Sequence, residues 1–352
     1  MPRSTPLTEV HRLAGARLVD FAGWEMPVQY ESVMSEHQAV RTAAGIFDVS
    51  HMGEVEFQGP GALDEANRFI SNDLHRCADG QALYAGLLNE SGGFIDDVVA
   101  YRFSPTRILL CVNAGNRDKA FAWMAGRAKV VAPVNRSDDF AQLAFQGPKA
   151  AAVLQRLTVC DLAGLGSYRF TEDTVAGVPC ILARTGYTGE DGFELYCAPE
   201  DAASLWKALL EEGRPEGAKP AGLGARDSLR TEMKFALYGQ DIDETHSPFE
   251  ASLGWIVKLD KAEFIGKTAL EAQKVQGLRR KWVGFELLDA GVPRHGYPVL
   301  RDGERVGEVT SGTLGPSVKK AIGMAYVPPD LAGAGSEFHV EIRGRPAAAR
   351  VV

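Results

Sequence analysis

The strand-like segment FIDDVVAYRF, residues 94–103, places one acidic side chain among apolar ones. Side chains alternate between the two faces of a β-strand, so Asp97 shares a face with Val99 and Tyr101. A carboxylate on such a face costs on the order of several kcal/mol unless it accepts hydrogen bonds. Asp97 is therefore a candidate for contact with a ligand; alternatively, it accepts hydrogen bonds from the turn amides near Gly92.

The neighbouring acid, Asp96, falls on the opposite face of the same strand. That face also carries Arg102, and charged residues of this kind are typical of solvated strand positions. We therefore predict that Asp96 is an ordinary solvated acid whose replacement by asparagine has a mild effect.

A second candidate acid lies in the glycine-rich segment RTGYTGEDGFELY, residues 184–196. No Lys-Ser/Thr pair follows, and the segment leads into a strand, so a hairpin is predicted and a phosphate loop is not. The hairpin places Tyr187 on a tight turn and sends Glu194 and Tyr196 to one strand face. An ionised carboxylate accepts two parallel hydrogen bonds, which suits a flat heterocycle with adjacent N–H donors. Alternatively, Glu194 is an exposed strand residue.

The helix predicted over 221–240 carries basic residues spaced by four: Arg226, Arg230 and Lys234. Residues at this spacing share a helix face, and a basic stripe is typical of a solvated surface. The glycines of GLGARD match only half of a dinucleotide fingerprint. The apolar positions expected to face the core are Leu229, Met233 and Leu237.

Cysteine and histidine usage predicts neither a disulfide framework nor a metal site. The cysteines are far apart and odd in number, and no CxxC, HxH or HxxxH pattern occurs. We predict that the protein binds no metal. The cysteines, predicted to be small buried hydrophobic residues, are Cys77, Cys111, Cys160, Cys180 and Cys197.

The elements that would position these residues alternate between helical and strand periods. A helix is predicted over 33–45, a strand over 47–59, a three-stranded antiparallel meander over 83–113, a helix over 115–128, strands between about 140 and 200, and helices over 201–213 and 221–240. After residue 278 only short strand patterns with turns remain. This pattern predicts a small antiparallel barrel or sandwich, with a domain boundary near residue 279.

Composition limits the class of protein. The chain has 352 residues, 45% hydrophobic and 24% charged, enough for one large core or two to three smaller ones. Its net charge of −8 argues against nucleic acid or an acidic membrane as the main partner. No signal-peptide pattern and no membrane-spanning apolar run is present, so we expect a cytoplasmic protein.

Seven stretches of sequence, in this order, together resemble one family: DFAGWEMPVQY (20–30), FDVSHMGEVEF (47–57), LNESGGFIDDVVAYR (88–102), ARTGYTGEDGFE (183–194), GLGARDSLRTE (222–232), LYGQDID (237–243) and LGWIVKLDKAEFIGK (253–267). The family is that of the aminomethyltransferases, the T-proteins of the glycine cleavage system. The resemblance implies an α+β fold: a folate-binding region of two interleaved subdomains around a central channel, followed by a C-terminal antiparallel β-barrel. The implied ranges are 1–278 for the folate-binding region, with subdomains of about 1–50 plus 140–278 and about 51–139, and 279–352 for the barrel.

The resemblance also implies a reaction. Members of the family transfer a methylene group from the S-aminomethyldihydrolipoyl arm of H-protein to tetrahydrofolate, giving 5,10-methylenetetrahydrofolate and ammonia. Asp97 matches the family's essential acid at the folate nitrogens, Glu194 the acid that binds the pterin ring, and Arg226 an arginine of the folate site. Further folate-binding candidates, in neighbouring family segments, are Tyr84, Asn113 and Tyr187.

The implied partner is lipoylated H-protein, which is acidic in this family. Because this chain is acidic too, the encounter requires positive charge gathered locally. The candidate basic clusters are Arg279-Arg280-Lys281, Arg294 and Lys319-Lys320. Alternatively, these are ordinary solvated residues of the C-terminal domain.

One departure from the family concerns its C-terminal tail. Members usually continue past the last strand with a basic tail whose arginine meets the glutamate end of folate, and Arg350 does not match that residue. Either the tail is missing from this sequence or another residue makes that contact.

Two other activities belong to related families. Some folate-dependent relatives demethylate sulfonium or methylamine compounds, and the amine-oxidising ones carry a flavin domain that has no counterpart in this sequence. Non-catalytic folate-binding relatives carry a cysteine-containing KGCYxGQE-type motif, whereas the corresponding hairpin here, RTGYTGEDGFE, has no cysteine.

Overall fold

The computed structural model describes residues 2–352, which form eight α-helices and twenty β-strands. None of these helices is long and apolar enough to cross a membrane. The helices are α1 (Thr8–Leu13), α2 (Val33–Thr42), α3 (Ala62–Phe69), α4 (Arg117–Ala125), α5 (Ala150–Gln155), α6 (Ala202–Gly213), α7 (Leu223–Glu232) and α8 (Lys267–Gln276). The first ten strands are β1 (Arg3–Ser4), β2 (Arg17–Phe21), β3 (Trp24–Gln29), β4 (Gly45–Asp48), β5 (Gly53–Gln58), β6 (Gln81–Leu88), β7 (Phe94–Ser104), β8 (Arg107–Val112), β9 (Val134–Asn135) and β10 (Ala141–Gln146). The other ten are β11 (Phe170–Val175), β12 (Val178–Ala183), β13 (Gly192–Cys197), β14 (Lys219–Pro220), β15 (Lys281–Leu287), β16 (Pro298–Arg301), β17 (Glu304–Gly315), β18 (Lys320–Val327), β19 (Glu337–Ile342) and β20 (Arg345–Val351).

The strands form three open sheets and one closed barrel. The open sheets have the strand orders β1-β3-β2, β6-β7-β8-β5-β9 and β11-β12-β13-β10-β4-β14. The barrel has the order β15-β18-β17-β16-β19-β20, and all its neighbouring strands are antiparallel. The predicted α+β fold with a C-terminal antiparallel barrel is thus confirmed, and the alternative of a sandwich is wrong.

The chain divides into two compact units. Unit 1 comprises the residues up to Ala66, Leu74–Tyr84 and Val98–Leu229, and unit 2 comprises Asn67–Asp73, Ala85–Asp97 and Arg230–Val352. Unit 1 contains the six-stranded sheet and unit 2 contains the barrel. The boundary near residue 279 and the two subdomains within residues 1–278 stay predictions.

Predictions of individual helices and strands are confirmed where the apolar residues follow a single helical or strand spacing. The meander predicted over 83–113 is β6, β7 and β8, which are neighbours in sequence order. The helix predicted over 33–45 is α2, capped by the Ser32 hydroxyl, which accepts a hydrogen bond from the Ser35 amide at 3.1 Å. It ends at Thr42, before its predicted end, because β4 already begins at Gly45.

The solvated basic stripe predicted over 221–240 is wrong. Helix α7 ends at Glu232, so Lys234 lies beyond it, and Met233, expected in the core, is 42% exposed. Arg230 is only 1% exposed, because its Nη1 lies 2.5 Å from Oδ2 of the fully buried Asp241. The helical period could not show this partner, which lies outside the helix.

The N-terminus of α7 is fixed by a buried acid on α2. The Oε2 atom of Glu36 accepts a hydrogen bond from the Gly222 amide at 2.9 Å, and its Oε1 accepts one from the Tyr30 amide at 2.7 Å. A Cβ at Gly222 would lie 2.5 Å from the carbonyl oxygen of Val28, so only glycine allows this approach. The glycines of GLGARD therefore serve to pack the helix that carries Arg226.

A buried polar chain ties the N-terminal segment to β4. Asp48 Oδ2 accepts a hydrogen bond from Thr5 Oγ1 at 2.6 Å and lies 2.9 Å from His11 Nε2, and His11 Nδ1 lies 2.9 Å from the Tyr30 hydroxyl. Burial alone would raise the pKa of Asp48, but hydrogen bonds from His11, Thr5 and Ser50 outweigh it and lower that pKa. Asp48 is therefore ionised in the folded protein at neutral pH.

We expect Asp48→Asn to lower the free energy of unfolding at neutral pH by roughly 1–3 kcal/mol, the scale of a charged hydrogen bond. Because folding lowers the pKa of Asp48, its contribution is fully present above its unfolded pKa of about 4 and is lost as pH falls through the folded value. Urea unfolding over a range of pH should show that the difference in free energy of unfolding between variant and parent becomes smaller in acid. The exposed Asp161, which accepts bonds from a turn, supplies the control Asp161→Asn. If this difference in free energy stayed constant below pH about 4, the stabilising role of the ionised Asp48 would be contradicted.

The structure confirms the predicted burial for four of the five cysteines, and for Cys160 that prediction is wrong. Cys77, Cys111, Cys180 and Cys197 are buried and Cys160 is half-buried, and none is in a disulfide. Cys180 and Cys197 lie in the core of unit 1, where burial raises the pKa of each thiol to about 12. Among residues 2–352, no group of three or more His, Cys, Asp and Glu side chains is placed to hold a metal ion.

Candidate functional site

Asp97 lies near the start of β7, in unit 2, and its side chain is half-buried. The turn amides before this strand are occupied by another residue: Gly92 N donates to the carbonyl oxygen of Asn89 and Gly93 N donates to its Oδ1, both at 3.0 Å. Asn89 therefore closes the turn. The alternative role for Asp97, in which it accepts hydrogen bonds from these amides, is wrong. Asp97 stays a candidate for contact with a ligand.

Tyr238 of unit 2 lies near enough to Asp97 to be influenced by its charge. Its hydroxyl donates a hydrogen bond to the carbonyl oxygen of Phe94 at 3.1 Å. Burial raises the pKa of Tyr238, and nearby negative charges that include Asp96 and Asp97 raise it further. Tyr238 therefore keeps its proton and holds the main chain three residues before Asp97.

Asp96 is fully buried, so the prediction of a solvated acid is wrong. Its face of β7 also carries Phe94, Val98 and Ala100, each no more than 1% exposed. The alternation separated the two faces of the strand correctly, but both faces are covered by the rest of the protein. Asp96→Asn therefore cannot serve as a mild control for Asp97.

Glu194 lies on β13, in the middle of the six-stranded sheet, and is 8% exposed. Strand β13 pairs with β12 as the predicted hairpin. Because Glu194 is buried, the alternative of an exposed strand glutamate is wrong. Glu194 Oε1 accepts a hydrogen bond from Gln142 Nε2 at 3.2 Å, and Oε2 accepts one from Thr185 Oγ1 at 2.5 Å. Each oxygen keeps a lone pair, so the carboxylate is held in place and can still accept hydrogen bonds from a ligand.

Two tyrosines extend this polar cluster. The hydroxyl oxygens of Tyr101 and Tyr196 are 2.9 Å apart, and Gln142 Nε2 also donates to Tyr196 at 3.0 Å. Burial raises the pKa of both tyrosines well above the ordinary value. Gln142 was not identified from the sequence, because no local pattern shows that β10 runs beside β13. Thr185 was not singled out either, although it lies in the same glycine-rich segment as Glu194.

Arg226 joins the same cluster from α7. Its guanidinium carbon lies 4.7 Å above the ring centre of Tyr187. Burial lowers the pKa of Arg226, and the charges of Glu194 and Tyr187, with Cys111 and Tyr196, oppose that shift. The structure therefore brings together three of the predicted residues of unit 1: an acid, a guanidinium cation and an aromatic ring, namely Glu194, Arg226 and Tyr187.

The other two predicted residues of unit 1 lie on β6 and just after β8. Tyr84 is half-buried on β6. Asn113 is half-buried just after β8, where its carbonyl oxygen accepts a hydrogen bond from the Asn116 amide at 2.9 Å. Their role in binding stays a prediction.

His51 is a further candidate site residue that sequence reasoning did not single out, although it lies in the quoted segment FDVSHMGEVEF. It is 3% exposed, and its Nδ1 has no hydrogen-bond partner among residues 2–352. Burial lowers the pKa of His51 to about 4; Asp48 opposes this shift, whereas Arg226 and Arg117 favour it. A neutral imidazole therefore lies near the Arg226 guanidinium.

Two family models match the chain and together cover most of it. Residues 7–261 match the GCVT N-terminal domain, and residues 280–352 match the glycine cleavage T-protein C-terminal barrel domain.

Known proteins match the chain over nearly its whole length. The aminomethyltransferase of Desulfitobacterium hafniense is 49% identical, with 99% of this chain and 96% of that protein covered. The aminomethyltransferase of Rubrobacter xylanophilus is 52% identical, with 99% of this chain and 93% of that protein covered. Among solved structures, the crystal structure of glycine cleavage system aminomethyltransferase T from Bartonella henselae matches with a TM-score of 0.93 at 35% identity, covering 100% of this chain and 97% of that one.

Proposed function

The chain belongs to the glycine cleavage T-protein family of aminomethyltransferases, and on that premise we propose that Asp97 and the cluster around Glu194 act on tetrahydrofolate. The methylene donor is the S-aminomethyldihydrolipoyl arm of lipoylated H-protein. The products are 5,10-methylenetetrahydrofolate, ammonia and the dihydrolipoyl arm.

The chemistry requires proton control and stabilisation of positive charge. The transferred carbon lies between sulfur and nitrogen and becomes electrophilic as a leaving group departs. N5 of folate attacks it and N10 then closes the ring; each folate nitrogen loses a proton, one of which completes ammonia and the other the thiol. A carboxylate shielded from bulk water orients the folate N–H groups and stabilises the developing charge more strongly than water does. We assign this role to Asp97.

The geometry at Glu194 supports a pterin site in unit 1. Its carboxylate is fixed by Gln142 and Thr185 but can accept further hydrogen bonds, as two adjacent pterin N–H groups would require. Arg226 supplies donors for a ligand carbonyl or carboxylate, and Tyr187 supplies an aromatic surface beside it. The fixed carboxyl group is the single observation that carries the assignment, because Gln142 and Thr185 hold it in place while each of its oxygens keeps a lone pair for a ligand N–H.

The test of the function is ammonia release by the purified protein. We expect ammonia from aminomethylated H-protein only when tetrahydrofolate is present, with methylenetetrahydrofolate formed in equal amount. Demethylation of a sulfonium or methylamine compound, without activity toward aminomethylated H-protein, would replace this function with that of the related demethylases.

Docking of H-protein offers a separate prediction. Lys319 is exposed at the turn between β17 and β18, and Lys320 Nζ lies 2.5 Å from Glu286. If this turn attracts acidic H-protein, reversing both lysines to glutamate raises the Michaelis constant for H-protein several-fold and leaves folate affinity unchanged. The effect should shrink with added salt, because salt screens charges on the protein surface.

Kinetics at two ionic strengths measure this effect. Lys207→Glu, at an exposed position on α6, is the control for a general change in net charge. If the double variant and the parent had the same Michaelis constant for H-protein at low salt, these lysines would be ordinary solvated surface residues.

A further inference from the structure

A loop of unit 2, residues 237–246, is hydrogen-bonded to the segment that leads into β7. The Tyr238 hydroxyl donates to the carbonyl oxygen of Phe94, and the Phe94 amide donates to the carbonyl oxygen of Asp243 at 3.0 Å. Asn89, in the preceding turn, donates from Nδ2 to the carbonyl oxygen of Glu244 at 3.0 Å. The loop thus holds both sides of the turn that precedes Asp97.

The loop and this turn are also in direct backbone contact. A Cβ added at Gly93 would lie 1.8 Å from the carbonyl oxygen of Glu244. No other amino acid at position 93 therefore allows these two segments of backbone to approach so closely. A shift of the loop consequently moves the start of β7 with it.

The same loop is attached to the barrel through Asp241. Oδ1 of Asp241 accepts hydrogen bonds from Thr310 Oγ1 at 2.5 Å and Ser311 Oγ at 2.8 Å. Its Oδ2 pairs with Arg230 Nη1, and its carbonyl oxygen accepts a hydrogen bond from the Tyr326 hydroxyl at 2.9 Å. The side chain of Asp241 is fully buried, and both of its oxygens are occupied.

Thr310 and Ser311 reach the same carboxylate because β17 has a bulge there. Consecutive side chains of a regular strand point to opposite faces. The register shifts between Val309 and Ser311, which leaves Thr310 as the extra residue. β-Bulges re-aim side chains and are common beside active sites, so this one is a specific feature of the barrel strand.

From these contacts we infer that Asp241 is a positioning residue, through which strand β17 of the barrel fixes the main chain that carries Asp97. This inference rests on the proposed function, since it concerns the acid assigned to the reaction. The barrel then contributes to catalysis by holding the start of β7, and not only to stability.

The test compares variants that weaken the anchor, by which we mean the hydrogen bonds from Thr310 and Ser311 to Asp241. Ser311→Ala and Asp241→Asn should lower kcat about ten- to hundredfold, because a displacement of about 1 Å at the reacting groups costs that much. The Michaelis constant for tetrahydrofolate should stay within about threefold, since the pterin is assigned to residues of unit 1. Amide hydrogen exchange should become faster in peptides covering residues 85–97. All assays are run well below the melting temperature of each variant.

The controls separate positioning from stability. Glu337, on the barrel surface, pairs with Arg350 at 2.8 Å, and Glu337→Gln should change neither kcat nor hydrogen exchange at residues 85–97. Thr310→Val removes one hydroxyl donor, whereas Thr310→Ser keeps it and should restore kcat. If Asp241→Asn fails to fold, Ser311→Ala and the two Thr310 variants carry the test.

Lower melting temperatures with unchanged kcat and unchanged exchange at residues 85–97 would overturn the inference and make the anchor purely structural. A rise in the folate Michaelis constant at constant kcat would also overturn it. Failure of the proposed function is distinguishable, because it would show as absent ammonia release in the parent protein.

Discussion

Asp97→Asn is expected to keep the fold and lose most of the aminomethyl transfer. The amide has nearly the same shape as the carboxylate but no charge, so it cannot stabilise the positive charge that develops on the transferred carbon. Loss of one such preorganised group costs roughly 10²–10³-fold in kcat. Turnover should be measured together with thermal melting and folate titration, which should both stay close to the parent values.

The control for Asp97→Asn is an exposed carboxylate of the same region. Glu90, in the turn between β6 and β7, is exposed, so Glu90→Gln should leave turnover unchanged. Near-normal turnover in Asp97→Asn with intact folate binding would remove Asp97 from the reaction.

Glu194→Gln is expected to act mainly on folate affinity. The substitution turns a group that only accepts hydrogen bonds into one that is half donor, and one pterin N–H then faces another N–H. The Thr185 hydroxyl can rotate to accept a hydrogen bond, so the protein itself adapts at that contact. The mismatch should cost roughly 1–3 kcal/mol, or about 5- to 150-fold in the folate dissociation constant.

Calorimetric titration of tetrahydrofolate measures this loss directly. Glu172→Gln, on strand β11 of the same sheet, is the matched control, because the Glu172 side chain is 57% exposed and pairs with Arg107 at the surface. A folate dissociation constant unchanged by Glu194→Gln would remove Glu194 from the pterin site.

Both candidate acids could be singled out from the sequence because the signals are local. Alternation along one strand singled out Asp97, and a glycine-rich segment leading into a strand predicted the hairpin that carries Glu194. Alternation could not show that the face bearing Asp96 is covered as well, since what packs on a strand comes from distant parts of the chain. Gln142 was missed for the same reason: it meets Glu194 only across β10 and β13.

Helical periods failed where tertiary contacts outweigh them. The apparent stripe of Arg226, Arg230 and Lys234 assumed one uninterrupted helix, but α7 ends at Glu232. Arg230 is buried because Asp241 neutralises it, and a charge with such a partner no longer marks a solvated face. Helix α8 was not predicted at all. It is short, its first turn has no side-chain cap and only Leu270 is buried, so it lacks a marked apolar period.

The buried cysteines have a consequence for how the molecule ages. Oxidants and alkylating agents attack the thiolate, and burial keeps Cys180 and Cys197 protonated in the core of unit 1. Their reaction must therefore wait until the surrounding sheet opens, at a frequency set by local stability. Since irreversible modification is not undone when the sheet closes again, the modified fraction of these two thiols increases with the total time that the surrounding sheet has spent open.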